Sequence, residues 1–239
     1  MIYIFDVDGT LTPSRKPMTE DFINFFDRWS QHNTFYLVSG SDLLKMSEQV
    51  PHYILRNSEG LFCCGGNDYY KYHGNFPMGI QKFKPLMLNE FTQEYYNEFT
   101  PPKDLIKFLT EQLEYSPYGV RAGNHIENRG SMLNFDLQSK ERELISQWVN
   151  QRWPDITAVI GGQISIDIAP KGNDKSQVLP YIQSEHPNQH YCFIGDRTMP
   201  GGNDYPLANL MSTQDNCSVY QAGQPSAHDG YLETKSILE

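Results

Sequence analysis

The chain has 239 residues, enough for one large domain or two small ones with a substantial core. Hydrophobic residues at 38% and charged residues at 20% describe a globular chain rather than a disordered one. Nineteen Lys and Arg against twenty-nine Asp and Glu leave a formal charge of -10, which argues against a nucleic-acid partner or an anionic membrane surface. No apolar run approaches the ~20 residues of a membrane helix, and the first strand starts without a leader pattern, so a cytoplasmic location is expected. Cys63, Cys64, Cys192 and Cys217 lack metal-ligand spacing and read as reduced; the scattered histidines offer no zinc site.

Ile2 to Phe5 form a short apolar run that suits a strand covered on both faces, and it ends in Asp6-Val7-Asp8-Gly9-Thr10. At the C-terminal edge of an open α/β sheet, two carboxylates this close either share a proton or hold a cation; a hard cation such as Mg²⁺ suits oxygen ligands. That pattern points to phosphoryl transfer, with one Asp as nucleophile and the other as acid/base. Taken alone, a polar strand end with an Asp-Gly turn reads equally well.

The loop Leu11 to Pro17 brings Arg15 and Lys16 near this edge. Thr19 is placed to cap a helix with Phe22, Ile23, Phe26 and Trp29 at helical spacing. A second buried strand, Thr34 to Val38, runs into Ser39-Gly40-Ser41-Asp42, where loop hydroxyls and a helix start suit an anion; Asp42 also reads simply as a helix cap. Tyr53-Ile54-Leu55 gives a further strand signal, and Gly65-Gly66-Asn67-Asp68 a hairpin turn.

From about Lys82 the texture changes. Pro101-Pro102 open a helix bearing Leu105, Phe108, Leu109 and Leu113; an alternating strand follows at Leu133, Phe135 and Leu137, then an amphipathic helix from Glu141 to Trp153. In Gly161 to Pro170 the isoleucines alternate with Gln163, Ser165 and Asp167, which predicts one core face and one polar face, the latter suited to solvent or to a hydroxyl-rich ligand. Asp174 can cap the next helix, with Lys175 in its first turn, where the macrodipole disfavours a cation unless it serves an anion. The strand Tyr191 to Ile194 then ends in Gly195-Asp196 and a glycine-rich loop to Asp204, which a parallel sheet would set beside Asp6 and Asp8.

This order predicts an α/β fold: a doubly wound parallel-sheet core, residues 1–81 and 173–239, interrupted by an inserted α+β cap at 82–172. The chain resembles the haloacid dehalogenase superfamily, and within it the eukaryotic-type phosphomannomutases. Phe5 to Pro13 is similar to the first motif, Val38 to Leu43 to the second, Gly161 to Asp167 to a cap strand, Asp174-Lys175 to the third, and Gly195 to Asp204 to the fourth.

The resemblance implies that Asp6 accepts the phosphoryl group and Asp8 is the general acid/base. It implies Mg²⁺ on Asp6, the Asp8 carbonyl and Asp196, and phosphate held by Lys175 with Ser39 or Ser41. Asn203 and Asp204 would orient Lys175 and metal waters, and Arg15, Arg129, Ser165 and Asp167 would contact a sugar phosphate. Around Met132-Leu133-Asn134 the family carries two further arginines. Here one position reads as Lys140 and the other as deleted, with Arg121, Arg142 or Arg129 as substitutes. The implied activity is that of a phosphomannomutase, with a sugar-phosphate phosphatase as the alternative and a non-catalytic phosphate binder behind it. A homodimer is compatible with this reading.

Overall fold

The computed structural model describes residues 1–74, 90–117, 124–137, 139–162, 164–223 and 229–239. Arg121, Gln163 and the expected cap boundary at 82 lie outside them.

A seven-stranded sheet forms the larger layer, in the order β11-β10-β1-β2-β3-β4-β5. Its strands are β1 (Ile2–Asp6), β2 (Thr34–Val38), β3 (Gly60–Cys63), β4 (Asp68–Tyr72), β5 (Phe91–Tyr96), β10 (Tyr191–Gly195) and β11 (Cys217–Gln221). From β11 to β3 the pairing is parallel, whereas β4 and β5 are antiparallel additions. Successive strands run outward from β1 to β2 and β3, and the chain later returns on the other side at β10. The strand order therefore reverses beside β1, the place where open α/β sheets leave a crevice.

Period-2 alternation assigns the faces of this sheet. Phe5 joins a core with Phe22 and Phe26 of α1 (Glu20–Ser30), Met46 of α2 (Leu43–Gln49) and Ile54 of α3 (His52–Asn57). Ile2 and Ile4 face the opposite way, against Val178, Leu179 and Ile182 of α6 (Val178–Glu185) and Leu207 and Met211 of α7 (Tyr205–Ser212). Phe5 and Phe26 meet edge to face at 5.4 Å, and truncating either fully buried ring would cost about 3–5 kcal/mol. At the C-terminus α8 (Gly230–Leu238) closes over the first loop, its Thr234 hydroxyl donating to the Thr10 carbonyl at 2.8 Å.

The smaller layer is a four-stranded antiparallel sheet, β6-β7-β9-β8, formed by β6 (Ile126–Asn128), β7 (Leu133–Asp136), β8 (Ile156–Ile160) and β9 (Ser165–Pro170). Leu105 and Leu109 of α4 (Lys103–Tyr115) and Ile145 and Val149 of α5 (Ser139–Arg152) pack on one face with Phe135, Ile166 and Ile168.

Three local expectations change. Tyr53, Ile54 and Leu55 lie in helix α3 and the strand comes later, at Gly60–Cys63; a three-residue apolar run carries no period, and Pro51 pre-sets the helix start. β5 follows residue 82 yet completes the larger sheet as an edge strand, its exposed Thr92, Gln93 and Glu94 obscuring the alternation. Thr19 stands at the start of α1, but its hydroxyl makes no capping bond.

Candidate active site

The C-terminal ends of β1 and β10 open toward the smaller sheet, and a cleft of about 350 Å³ lies between them. Beyond Asp6 the chain turns through Gly9 at φ +91°, where a β-carbon would sit 2.7 Å from an Asp196 oxygen, so glycine is required for these two loops to approach.

Lys175 is buried and donates 2.6 Å hydrogen bonds to both Asp6 Oδ1 and Asp204 Oδ1. Thr10 donates to Asp6 Oδ2 at 3.0 Å, and the Arg197 backbone N–H to Asp204 Oδ2 at 2.9 Å. Burial alone would lower the Lys175 pKa, but the Asp204 and Asp6 charges outweigh it and hold the ammonium. Burial, and then the Asp204 charge, push Asp6 from 3.8 to about 7 against the pull of Lys175. Asp196 is likewise raised, by burial first and then by Asp6.

Asp6, Asp196 and Asp204 bring carboxylate oxygens within 4.8 Å of one another, with one buried lysine among them. Among the described residues no hydrogen-bond donor reaches the Asp196 carboxylate; its nearest cation is Arg197 Nε at 3.8 Å. Nor does any donor there reach the Asp8 carbonyl. Asp204 and Asp6 each already accept on both oxygens, which leaves Asp196 and the Asp8 carbonyl as the acceptors without a donor; together with Asp6 they offer the all-oxygen set that suits a hard divalent cation.

Asp8 stands outside this cluster and lines the cleft. Its Oδ1 accepts from the Arg15 backbone at 2.5 Å and from Gln49 Nε2 at 2.9 Å, while Ser14 lies 3.4 Å from Oδ2. Across the cleft, the polar face of β9 and its neighbour β7 presents Ser165, Asp167 and Asn134. Asp167 accepts from Asn134 at 2.9 Å on one oxygen and from Asn203 at 3.1 Å on the other. Because Asn203 belongs to the loop that carries Asp196, the two sheets are tied across the cleft. Backbone bonds Ile160 N to Gly201 O and Asn203 N to Ile160 O, each 3.0 Å, repeat the tie.

A sequence profile of the eukaryotic phosphomannomutase family matches residues 22–219. The chain belongs to that family. A phosphomannomutase of Encephalitozoon cuniculi is 35% identical over 228 residues, covering 87% of this chain and 84% of its own. One from Drosophila melanogaster is 33% identical over 221 residues, covering 87% and 85%. A haloacid dehalogenase-like hydrolase from Bacteroides thetaiotaomicron shares the fold, with TM-score 0.55 and 13% identity over 100% of this chain and 99% of that one. This phosphomannomutase-family chain is thus an enzyme, and its fold is the one seen in haloacid dehalogenase-like hydrolases.

Among the residues implied by the resemblance, Asp6, Asp8, Arg15, Ser39, Ser41, Arg129, Ser165, Asp167, Asp196 and Asn203 line one cleft, with Lys175 and Asp204 buried beneath it. Asp42 caps α2 through Lys45 N at 2.8 Å, which settles its reading. The Asn203 amide donates to Asp167, while Lys175 is held by Asp204 together with Asp6. Arg129 lines the cleft, but its guanidinium is held by Glu127 and by a 2.6 Å bond to the Gly40 carbonyl, because two neighbours in the fold satisfy it before a ligand does. Lys140 stands exposed on α5 and does not line the cleft. Arg142 is buried, donating to the carbonyls of Gly162 at 2.6 Å and Ser165 at 3.4 Å.

Thr10, Gln49, Asn134 and Arg197 are site residues that the sequence patterns do not single out. Gln49 carries one signal, its place on the buried face of α2 one turn from the cleft-facing Lys45; Thr10, Asn134 and Arg197 stand inside the stretches matched above, but nothing in those stretches assigns them a role.

Proposed function

We propose that the enzyme transfers a phosphoryl group on a hexose phosphate through an aspartyl phosphate at Asp6, in the manner of a phosphomannomutase that converts mannose 6-phosphate to mannose 1-phosphate. The observation that supports this most is Asp6 itself: a buried carboxylate braced by Lys175 and Thr10, with a second carboxylate, Asp8, directed into the same cleft.

An Asp6 oxygen attacks the phosphorus, and the bond to the sugar oxygen breaks. Asp8 delivers a proton to that oxygen as it leaves, and in reverse removes the proton from the hydroxyl that takes the phosphoryl back. Lys175 neutralises charge at Asp6, while the Ser39 and Ser41 loop offers polar groups to the phosphate. Mg²⁺ would be held by Asp6, Asp196 and the Asp8 carbonyl, and would supply charge neutralisation of the transferring phosphoryl. Arg15, Ser165 and Asp167 face the remainder of the sugar phosphate, with the smaller sheet and α4 and α5 serving as the cap.

Hydrolysis by the same aspartyl phosphate, a sugar-phosphate phosphatase activity, is the second reading. It is favoured by Arg129 and Lys140, two expected phosphate ligands, being held by other groups or placed outside the cleft. Among the described residues no helix is long and apolar enough to cross a membrane, and the four cysteines are free, which supports a reducing, cytoplasmic setting. The deciding assay offers mannose and glucose phosphates with and without a hexose bisphosphate, measuring isomer and free phosphate together. Isomer formation supports the mutase; phosphate release without isomer overturns it in favour of the phosphatase.

A further inference from the structure

Arg15 spans the two sheets. Its backbone N–H donates to Asp8, at a left-handed φ of 60°, and its Nη2 lies 3.2 and 3.3 Å from the two carboxylate oxygens of Asp136 on β7. Asp136 is fixed in turn by its own backbone, which accepts from His125 Nδ1 at 3.0 Å and donates to the His125 carbonyl at 2.9 Å. In the sheet it sits opposite Ser165, a cleft residue. A carboxylate is therefore presented to the arginine expected to meet the distal end of the substrate.

We infer that Asp136 is a specificity-determining residue: it competes with the substrate's distal phosphate for Arg15 and so sets how tightly a bisphosphorylated sugar is held. This deepens the hexose-phosphate reading above and rests on it. Both side chains are partly exposed, at 34% for Arg15 and 22% for Asp136, so water screens the pair and a ligand can replace it. A phosphate offers more charge and more acceptor oxygens to the guanidinium than a carboxylate does. Once it has displaced Asp136, however, the released carboxylate remains beside it as a like charge. A monophosphate that reacts at Asp6 and leaves a neutral hydroxyl at this end meets no such opposition.

The same pair links distal binding to the acid/base. Displacing Asp136 frees the side chain of Arg15, whose own backbone N–H holds Asp8 Oδ1. A weakly held bisphosphate leaves the cleft before its second phosphate is presented, so Asp136 favours loss of the intermediate over completed isomerisation.

The test measures calorimetric binding of hexose 1,6-bisphosphate and of a hexose monophosphate to the full chain carrying Asp6→Asn, which blocks turnover, with and without Asp136→Asn. Asp136→Asn should tighten the bisphosphate about tenfold, the equivalent of one modest ion pair, and the monophosphate by less, since only the fraction bound with its phosphate at Arg15 gains. The gain should vanish when Arg15→Gln is also present. Asp136→Ser provides a second probe with a different fit in the sheet, and should tighten the bisphosphate likewise. Unchanged or weaker bisphosphate binding in both variants overturns the proposal alone. Failure of every protein to bind either sugar, while the chain with Asp6 intact still takes up beryllium fluoride, overturns the hexose-phosphate reading and the proposal with it.

Discussion

Lys175 Nζ lies 2.6 Å from Asp6 Oδ1, with 1% of the lysine side chain and 6% of the aspartate side chain exposed. The same ammonium is shared with Asp204, so one cation stands between two buried carboxylates that otherwise repel.

Replacing that cation is expected to be costly twice. Lys175→Met should lower phosphoryl transfer by about 10³-fold, since charge on the transferring group loses a preorganised partner. It should also destabilise the fold by about 3 kcal/mol near pH 8, where the abandoned Asp6 is ionised, and by less in acid, where it takes up a proton. Urea unfolding at both pH values reads the difference.

Asp6 has its own pH signature. Burial, then Asp204, raise it from 3.8 to about 7, so the fold favours the protonated carboxyl. That stabilisation is full below pH 3.8 and is lost as pH rises through about 7. In metal-free buffer Asp6→Asn should therefore gain stability relative to the wild type between pH 4 and pH 8, by a few kcal/mol. A saturating divalent cation, which favours the ionised form, should reduce the gap. Parallel stability curves for the two proteins would contradict the assignment of the shift to this residue.

Gln49 holds Asp8 from the end of α2, and its amide is oriented by that duty. Nε2 donates to Asp8 Oδ1, while Oε1 is buried without a partner among the described residues; the flipped amide would set a carbonyl against a carboxylate. Gln49→Met keeps the volume and removes the donor. It should lower kcat by about 10–100-fold with KM nearly unchanged, as expected for a group that positions an acid/base. Beryllium fluoride binding at Asp6 should persist. An equal loss of both readouts would show that the loop itself had moved.

The strand-end aspartates are legible in the sequence because strand, carboxylate and turn are local signals. The crossing from apolar to acidic residues at Phe5-Asp6 and again at Gly195-Asp196 marks the same sheet edge, and parallel pairing of β1 with β10 brings the two together. The polar face of β9 is legible from alternation, although solvent would explain it equally well. What escapes depends on contacts distant in sequence. Gln49 meets Asp8 across 41 residues, and Arg15 meets Asp136 across 121. Arg129 matches the motif of a phosphate ligand, but Glu127 two residues away takes its fork, a local pairing that a motif match overlooks. The α3 segment misleads for a different reason, since Ile54 and Leu55 are buried and a buried helical turn looks like a strand at that length.

The most direct measurement of the central claim is acid-quench trapping with a phosphorus-labelled hexose bisphosphate, followed by peptide mapping. The account predicts a base-labile acyl phosphate on the peptide containing Asp6, dependent on Mg²⁺ and absent from Asp6→Asn. Label on any other residue, or undiminished labelling of Asp6→Asn, would contradict it.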